Sequence, residues 1–266
     1  MERFPNNGLP QCAVLSPTLF NIYTSDFPPT SSKKFVYADD IALATEHTGL
    51  QMLSCTLTSD LAVMTLYFHQ WKPHPNPTKT CATAFHLDNR LVKEKLAVEF
   101  CGQQVHDKKT KYLGVTLDRT LSFKPYLEKT QQKTKTRINL LRKLAGTSWK
   151  AGARTLRTTA LAPIYSLVDH CSLVWCHSCH TSELDTQFNE KMRIVIATLK
   201  PSQTQLLPIL EDIEPPHFRR GEQAHRILDR NRQLPIHRVF QQSPTRRLKP
   251  RHPLWERTTT PRLSLE

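Results

Sequence analysis

The chain of 266 residues lacks an apolar run long enough to cross a bilayer, and it lacks a recognisable signal peptide. Residues 159–175 form the most apolar segment, but Asp169 and His170 interrupt it and it is too short to span a membrane. The seven cysteines are scattered without a disulfide-like pattern, which is typical of a reducing compartment. We therefore expect an intracellular protein, in the nucleus or the cytoplasm, without a membrane partner.

A paired zinc-binding motif is also lacking. The single C-x-x-C spacing joins Cys176 and Cys179, and a structural zinc site usually needs a second pair of ligands at suitable spacing. Neighbouring histidines keep zinc open as an alternative here. The interpretation that we favour is the end of a helix over residues 161–175, which packs against a helix capped by Ser182 with Asp185 in the reciprocal position.

Acidic residues are scarce beside basic ones, at 23 against 37, so the net charge is +14. Residues 124–143 hold seven basic residues and one acid, and residues 217–266 hold twelve and four, which together account for the whole excess. The first segment has apolar residues at helical spacing and therefore predicts an amphipathic helix. Its Lys129, Lys133 and Arg137 could follow the phosphates of a nucleic acid, or the face could be an ordinary solvated surface.

The most informative motif is the sequence from Tyr37 through Ala38 and Asp39 to Asp40, whose two carboxylates lie between the apolar runs 35–38 and 41–44. Asp favours turns, whereas β-branched and aromatic residues favour strands, so the pattern predicts a β-hairpin with buried flanks and acids at its tip. Two carboxylates at one turn offer the hard oxygen ligands that Mg²⁺ prefers.

Other segments predict helices and short strands. Ser16 followed by Pro17 predicts a helix start that buries Leu19, Ile22 and Tyr23. Apolar residues at helical spacing over 50–71 predict a packing helix that ends before the prolines at 73, 75 and 77. Residues 80–85, 98–100 and 112–117 read as strands, so we expect an α+β fold with a mixed sheet and packing helices.

Beyond residue 201 the apolar periodicity fades and proline recurs. Residues 218–228 are compatible with one more helix, and from about residue 235 the chain is basic and poor in large aliphatic residues. This composition predicts a disordered tail. We accordingly expect three regions, at 1–118, 119–200 and 201–266.

Four blocks in order resemble reverse transcriptases of non-LTR retrotransposons of the invertebrate type. They are residues 8–21, the acidic hairpin, the stretch from Trp71 to Thr80, and residues 112–118. The similarity continues through residues 163–175, 184–193 and 207–220. It implies an RNA-directed DNA polymerase, with a palm over residues 1–118 and a helical thumb or connector over 119–200. It also implies RNA, RNA–DNA duplex and deoxynucleoside triphosphates as partners, and Mg²⁺ as cofactor.

The resemblance implies catalytic roles for three side chains. Asp39 corresponds to a metal ligand and Asp40 to its weaker neighbour, because successive side chains leave a strand on opposite faces. Lys79 stands where the family has a candidate proton donor to pyrophosphate, a role that a lysine with a tunable pKa can fill.

Four further residues are expected to contact substrates by the same resemblance. Gln11 would lie against the template-primer, Tyr37 would line the nucleotide pocket, and Leu113 and Gly114 would belong to the primer grip. The chain has no recognisable base-reading motif, so RNA or an RNA–DNA duplex would be recognised through its shape and backbone.

Two departures from the family pattern matter for activity. The family takes a second catalytic carboxylate and its fingers from sequence before the block that begins here at Gly8, and Cys12 replaces a usual glycine. We therefore expect a polymerase fragment, truncated at the N-terminus, that is inactive alone and self-associates through the exposed edge of its hairpin. A non-enzymatic basic nucleic-acid-binding remnant and an unfolded pseudogene product are the alternatives.

Overall fold

The computed structural model describes residues 13–107, 109–146 and 151–232. Gln11, Cys12 and the predicted tail lie outside the described residues. Contacts divide the chain into two units, which we call the hairpin unit, residues 13–84 and 88–114, and the helical unit, residues 85–87 and 115–232. The combination of helices with small sheets is compatible with the expected α+β class.

The hairpin unit combines two helices, a 3₁₀ turn and short strands. Its elements in chain order are α1 Ser16–Tyr23, β1 Lys33–Tyr37, β2 Asp40–Ala44, α2 Leu50–Trp71, β3 Cys81–Ala82, a 3₁₀ turn Arg90–Lys93, β4 Glu99–Phe100, β5 Gln103–Gln104, β6 His106–Asp107 and β7 Lys111–Tyr112. β1 and β2 pair antiparallel, β4 and β5 also pair antiparallel, and β3 pairs parallel to β6.

Helix α2 confirms the prediction from apolar spacing, with the predicted ends. Its C-cap Lys72 has a φ of 64°, a left-handed conformation that terminates the helix just before Pro73. The apolar face of α2 covers a small core of four buried residues from the strand region, Leu96, Val98, Phe100 and Val105. α2 is therefore the support on which the rest of the hairpin unit packs.

Two expectations about burial in this unit are wrong. Helix α1 buries none of its residues, and Leu19 and Ile22 are 46% and 64% exposed. The expected N-cap Ser16 is instead the first helical residue, after Leu15. The flanks of the hairpin are also open, since Phe35 is 42% exposed. Periodicity identifies the face that burial would favour, but whether another element covers it depends on tertiary contacts.

The expected mixed sheet is reduced to separate two-stranded pieces among the described residues. The predicted strands at 80–85 and 98–100 shrink to the two-residue strands β3 and β4. Short bridges of this kind add little stability by themselves.

The helical unit contains one strand and a series of helices. In chain order these are β8 Val115–Thr116, α3 Lys124–Leu144, α4 Ala153–Ala160, a π-helical turn Leu161–Tyr165, α5 Ser166–Asp169, α6 Ser172–Trp175, α7 Ser182–Val195, a 3₁₀ turn Thr204–Leu206, α8 Leu207–Glu211 and α9 Pro216–Asn231. The chain beyond residue 201 thus adds α8 and α9 to this unit, whereas the predicted regional boundaries at 118 and 200 stay predictions.

A single apolar cluster forms the centre of the helical unit. Helix α3 contributes the apolar face that its periodicity predicts, including the fully buried Ile138 and Leu141. Four side chains from other helices pack against it with 0% of their surface exposed, namely Trp175, Leu184, Met192 and Leu207. Burial of side chains of this size stabilises by about 1.5–3 kcal/mol each, so this cluster dominates the stability of the unit.

The structure corrects two local predictions here. The expected helix over 161–175 is interrupted at Cys171, which has a φ of 53°. No side-chain hydrogen bond caps α7, and the residue before it is Thr181. The capping box fails because the carboxylate of Asp185 accepts hydrogen bonds from Arg220, at 2.6 and 2.9 Å, instead of turning back to the helix start.

Among the described residues, no helix combines the length and the apolarity needed to cross a membrane.

Candidate functional site

The acidic motif forms the tip of the hairpin, as its sequence predicts. Tyr37 pairs with Asp40 across the strands, so Ala38 and Asp39 form a two-residue loop. Ala38 has a φ of 50°, and a left-handed first loop residue is the feature that lets a tight turn match the twist of its strands. Both aspartates are exposed, and neither side chain has a hydrogen bond or ion pair with another described residue.

A buried aspartate of α2 holds the base of this hairpin. The carboxylate of Asp60, only 3% exposed, accepts hydrogen bonds from the backbone N–H groups of Ser31 at 2.9 Å and Ser32 at 2.8 Å. Burial raises the pKa of Asp60, but hydrogen bonds from the two serines lower it by more, so the net pKa is below the usual value. The segment that enters β1 is therefore tied to α2.

Tyr67 makes a second polar contact between α2 and the same segment. Its hydroxyl donates to Asp26 at 2.8 Å and lies 3.2 Å from the carbonyl oxygen of Tyr23. Burial, followed by the hydrogen bond and charge of Asp26, raises the pKa of Tyr67 to about 12. The tyrosine is therefore a neutral hydrogen-bond donor at ordinary pH.

The other expected catalytic and binding residues occupy turns of the same unit. Lys79 is exposed, and its backbone N–H donates to the side chain of Asn76 at 3.3 Å. Leu113 and Gly114 have φ values of 46° and 86°, the pattern of a type I′ turn. Burial and then the charge of Asp40 raise the pKa of the adjacent Tyr112, so the hairpin tip and this turn are within electrostatic range.

The described residues contain no group of three or more His, Cys, Asp or Glu side chains placed to hold a metal ion. Asp39 and Asp40 nevertheless fit Mg²⁺ in the way this ion is often bound, by one or two carboxylates with water and substrate phosphates completing the octahedron. Neither carboxylate is engaged by another side chain in the part of the chain that the structure describes, which supports that fit. In the segment with the C-x-x-C spacing, the sulfur of Cys176 donates to the Leu173 carbonyl at 3.6 Å.

Some basic side chains of α3 are exposed without an ion pair to a described residue, and others bind groups of the helical unit. Lys129 and Lys133 are exposed and have no ion pair with a described residue. Arg137 is half-buried, and its guanidinium donates to the carbonyl of Pro163 in the π-helical turn. Arg142 is engaged too, in an ion pair with Glu190 of α7. Two of the predicted phosphate-binding residues are thus available, whereas the third already serves the fold.

A buried ion pair lies in the interior of the helical unit. Nζ of Lys191 donates to both carboxylate oxygens of Glu211, at 2.5 and 2.7 Å, and to the hydroxyl of Tyr165 at 2.9 Å. The side chains of the pair are 0% and 1% exposed. Burial lowers the pKa of Lys191 and outweighs the opposing effect of the Glu211 charge.

Two bidentate ion pairs bind α9 to the rest of the unit. Arg219 contacts the carboxylate of Asp169, with its closest approach at 2.7 Å, and also lies 4.5 Å from the centre of the Tyr165 ring. Arg220, 5% exposed, holds Asp185. These arginines were predicted only as part of a resembling block, and their contacts remove them from the basic surface.

Residues 1–117 match the family described as reverse transcriptase (RNA-dependent DNA polymerase). The resemblance to reverse transcriptases of non-LTR retrotransposons is confirmed. The match covers the acidic hairpin, the Lys79 turn and the Leu113–Gly114 turn, and it ends close to the division between the two units after residue 114. All of the described residues for which a role in catalysis was expected lie within it.

Relatives among insect mobile elements extend the reverse transcriptase similarity. A probable RNA-directed DNA polymerase from transposon BS of Drosophila melanogaster is 27% identical over 240 residues, which are 86% of this chain and 25% of that protein. The polymerase from mobile element jockey of Drosophila funebris is 30% identical over 162 residues, 57% of this chain and 17% of that protein. The chain spans a quarter or less of these relatives. No solved structure matches it.

Sequence reasoning missed Asp60, which holds the base of the hairpin, and the buried pair of Lys191 and Glu211 in the helical unit. Asp60 had a detectable signal, because an acid stands beside the apolar face of a helix otherwise lined by Leu57, Leu61 and Met64. Lys191 and Glu211 had no comparable signal, since their contact joins residues 20 positions apart across two helices.

Proposed function

We propose that the chain is part of an RNA-directed DNA polymerase of a non-LTR retrotransposon, with the hairpin unit as part of the palm and the helical unit as part of the thumb. One observation carries the proposal. The segment that matches reverse transcriptases places two exposed carboxylates, which have no side-chain partner among the described residues, at the tip of a two-residue hairpin. Acids exposed in this way are available to a metal ion and to the phosphates that it binds.

In this proposal, Asp39 is the principal Mg²⁺ ligand and Asp40 assists it. The ion, when bound, stabilises the charge that develops on the attacking and leaving oxygens of nucleotidyl transfer. Tyr37 and the Leu113–Gly114 turn contact the nucleotide and the primer. Lys79, on its exposed turn, carries the proton that the leaving pyrophosphate takes up.

We further propose that the chain alone does not polymerise. Two-metal chemistry needs carboxylates from more than one strand, and the described residues bring no third acid to the hairpin tip. Asp40 and Asp39 alone can position one ion at most. Productive catalysis then requires residues that the described structure does not supply.

Primer extension on a poly(A)/oligo(dT) template, with Mg²⁺ or Mn²⁺, tests this proposal. We expect no extension by the chain alone, and the matched control is the Asp39→Ala variant. Extension that disappears in Asp39→Ala would show that another residue completes the site. The same assay on a longer, active related polymerase, with the substitution that corresponds to Asp39→Ala, would show whether this position is essential for catalysis.

A second candidate function, binding of RNA or RNA–DNA duplex without catalysis, rests on α3. Lys129 and Lys133 are four positions apart and therefore project from the same side of the helix. They are close enough to contact successive phosphates. Arg137 continues the same spacing, but its bond to the Pro163 carbonyl leaves it less available. This function is compatible with the first, since a thumb contacts the backbone of the duplex.

A further inference from the structure

Two polar side chains of α2 grip the connector between α1 and β1, residues 24–32. Asp60 and Tyr67 are seven residues apart, which is about two helical turns, and so they lie on one side of the helix. Met64 lies between them and is 1% exposed. Two hydrogen-bonding side chains of one helix face thus hold the connector, with the buried Met64 between them on α2.

The grip ends where the hairpin begins. Ser32, whose N–H group donates to Asp60, directly precedes the first residue of β1. Lys34 then donates to the carbonyl of Pro28 at 2.7 Å and lies 5.2 Å from the ring centre of Phe27. Phe27 in turn lies 4.8 Å from the ring of Tyr67. Helix α2 therefore holds the connector near its start through Tyr67 and at its end, at the base of the hairpin, through Asp60.

At the tip of the hairpin, no side-chain hydrogen bonds comparable to those of Asp60 are found among the described residues. β1 and β2 pair only with each other among the described strands. A strand of five residues extends about 16 Å, so a tilt of about 10° at the base would move the tip by about 3 Å. Catalytic groups lose function at displacements of about 1 Å, so the contacts at the base determine whether the tip is correctly placed.

We propose that Asp60 is a positioning residue for the acidic tip: its two carboxylate oxygens, each bound to one backbone N–H group, set the direction in which the hairpin presents Asp39 and Asp40. This inference rests on the proposed role of these two acids as Mg²⁺ ligands. An amide at position 60 has one acceptor oxygen in place of two, so it can hold one of the two N–H groups and must face the other with a donor.

The experiment compares Asp60→Asn with Glu46→Gln, a neutralised exposed carboxylate of the same unit that has no described partner. Hydrogen exchange reports on the Ser31 and Ser32 amides, and electron paramagnetic resonance reports on Mn²⁺ affinity. In Asp60→Asn we expect exchange at both amides to accelerate at least tenfold and Mn²⁺ affinity to fall about fivefold, with exchange at Val98 and Phe100 unchanged. Glu46→Gln should alter neither quantity.

Asp39→Asn separates the two hypotheses. If Asp39→Asn weakens Mn²⁺ binding and Asp60→Asn does not, the positioning role is wrong while the metal site stands. If Asp39→Asn leaves Mn²⁺ binding intact, the metal role is wrong, and positioning is then decided by residual dipolar couplings of the hairpin against α2. Couplings that stay the same in Asp60→Asn would overturn it.

If Asp60→Asn unfolds the unit, a pH titration of the wild-type chain followed by NMR still tests the inference. The amide shifts of Ser31 and Ser32 should titrate together, with a midpoint below the usual pKa of an aspartate. Independent behaviour of the two amides would contradict the inference, because both N–H groups bind the same carboxylate. Asp60→Glu, which keeps the charge on a longer side chain, should retain the joint titration and recover part of the Mn²⁺ affinity.

Discussion

The tip of the hairpin and the interior of the helical unit use charged side chains in opposite ways. The acids at the tip are exposed and have no side-chain partner among the described residues, whereas the helical unit buries Lys191 with Glu211 and binds Arg219 and Arg220 to carboxylates. Charged side chains that stabilise the fold are ion-paired within the protein, whereas those that bind a ligand must remain exposed and unpaired. The comparison supports the proposed roles of the hairpin tip in metal binding and of Lys129 and Lys133, which have no ion pair with a described residue, in phosphate binding.

The units also differ in how their cores are built. Sixteen buried residues form the apolar cluster of the helical unit, and four form that of the hairpin unit. The smaller core depends more on single polar contacts such as that of Asp60. We therefore expect the helical unit to be the more resistant of the two to unfolding.

The largest effect should come from breaking the buried pair. Glu211→Gln leaves the Lys191 ammonium without a counter-charge in the interior, at a cost of about 3 kcal/mol or more in the free energy of unfolding. Denaturant unfolding followed by hydrogen exchange of α7 amides measures it. The control Glu190→Gln removes only the exposed ion pair with Arg142 and should cost at most about 1 kcal/mol.

Removing both charges sharpens this test. The double variant Lys191→Met with Glu211→Gln carries no charge at either of these buried positions, so it should recover most of the stability that Glu211→Gln loses. Equal losses in the double and the single variant would show that packing around these positions, and not the uncompensated charge, dominates.

The second effect concerns the free lysines of α3. Reversing Lys129 and Lys133 to Glu should weaken binding to an RNA–DNA duplex and reduce the slope of log affinity against log salt by about two, because two phosphate contacts are lost. Fluorescence anisotropy over a salt series measures both quantities. Arg137→Gln is the comparison variant: its bond to Pro163 predicts a loss of stability with little change in slope. An unchanged slope in the double reversal would assign binding to another part of the chain.

The smallest effect tests the open edge of the hairpin. An exposed two-stranded sheet with Phe35, Val36 and Tyr37 on it is a template for pairing with another chain, and the acids at its tip oppose this association by repulsion. Replacing Asp39 and Asp40 by Asn should therefore increase self-association. Sedimentation velocity at several concentrations measures it, with Glu46→Gln as the control. A chain that stays monomeric in both variants would contradict the proposed edge.

Local patterns predicted the elements that bear the candidate site. Helix α2 follows from apolar spacing alone, and the hairpin follows from two acids between strand-forming runs. The same patterns could not show that Leu19 stays exposed, since exposure depends on what covers a face. They also proposed a capping role for Asp185, because nothing local indicates that Arg220, 35 residues later, competes for its carboxylate.

The π-helical turn Leu161–Tyr165 has a consequence for how the protein tolerates a change of length. A turn of this kind holds one residue more than an α-helical turn, and Pro163 within it has no N–H group to donate. Deletion of Pro163 would remove that extra residue and convert the turn to α-helical geometry, so the segments on either side would keep their facing and Tyr165 would stay beside Lys191. Deletion of one residue within the regular helix α7 would instead rotate one side by about 100° relative to the other. A deletion of one residue should therefore be tolerated better at this turn than within α7.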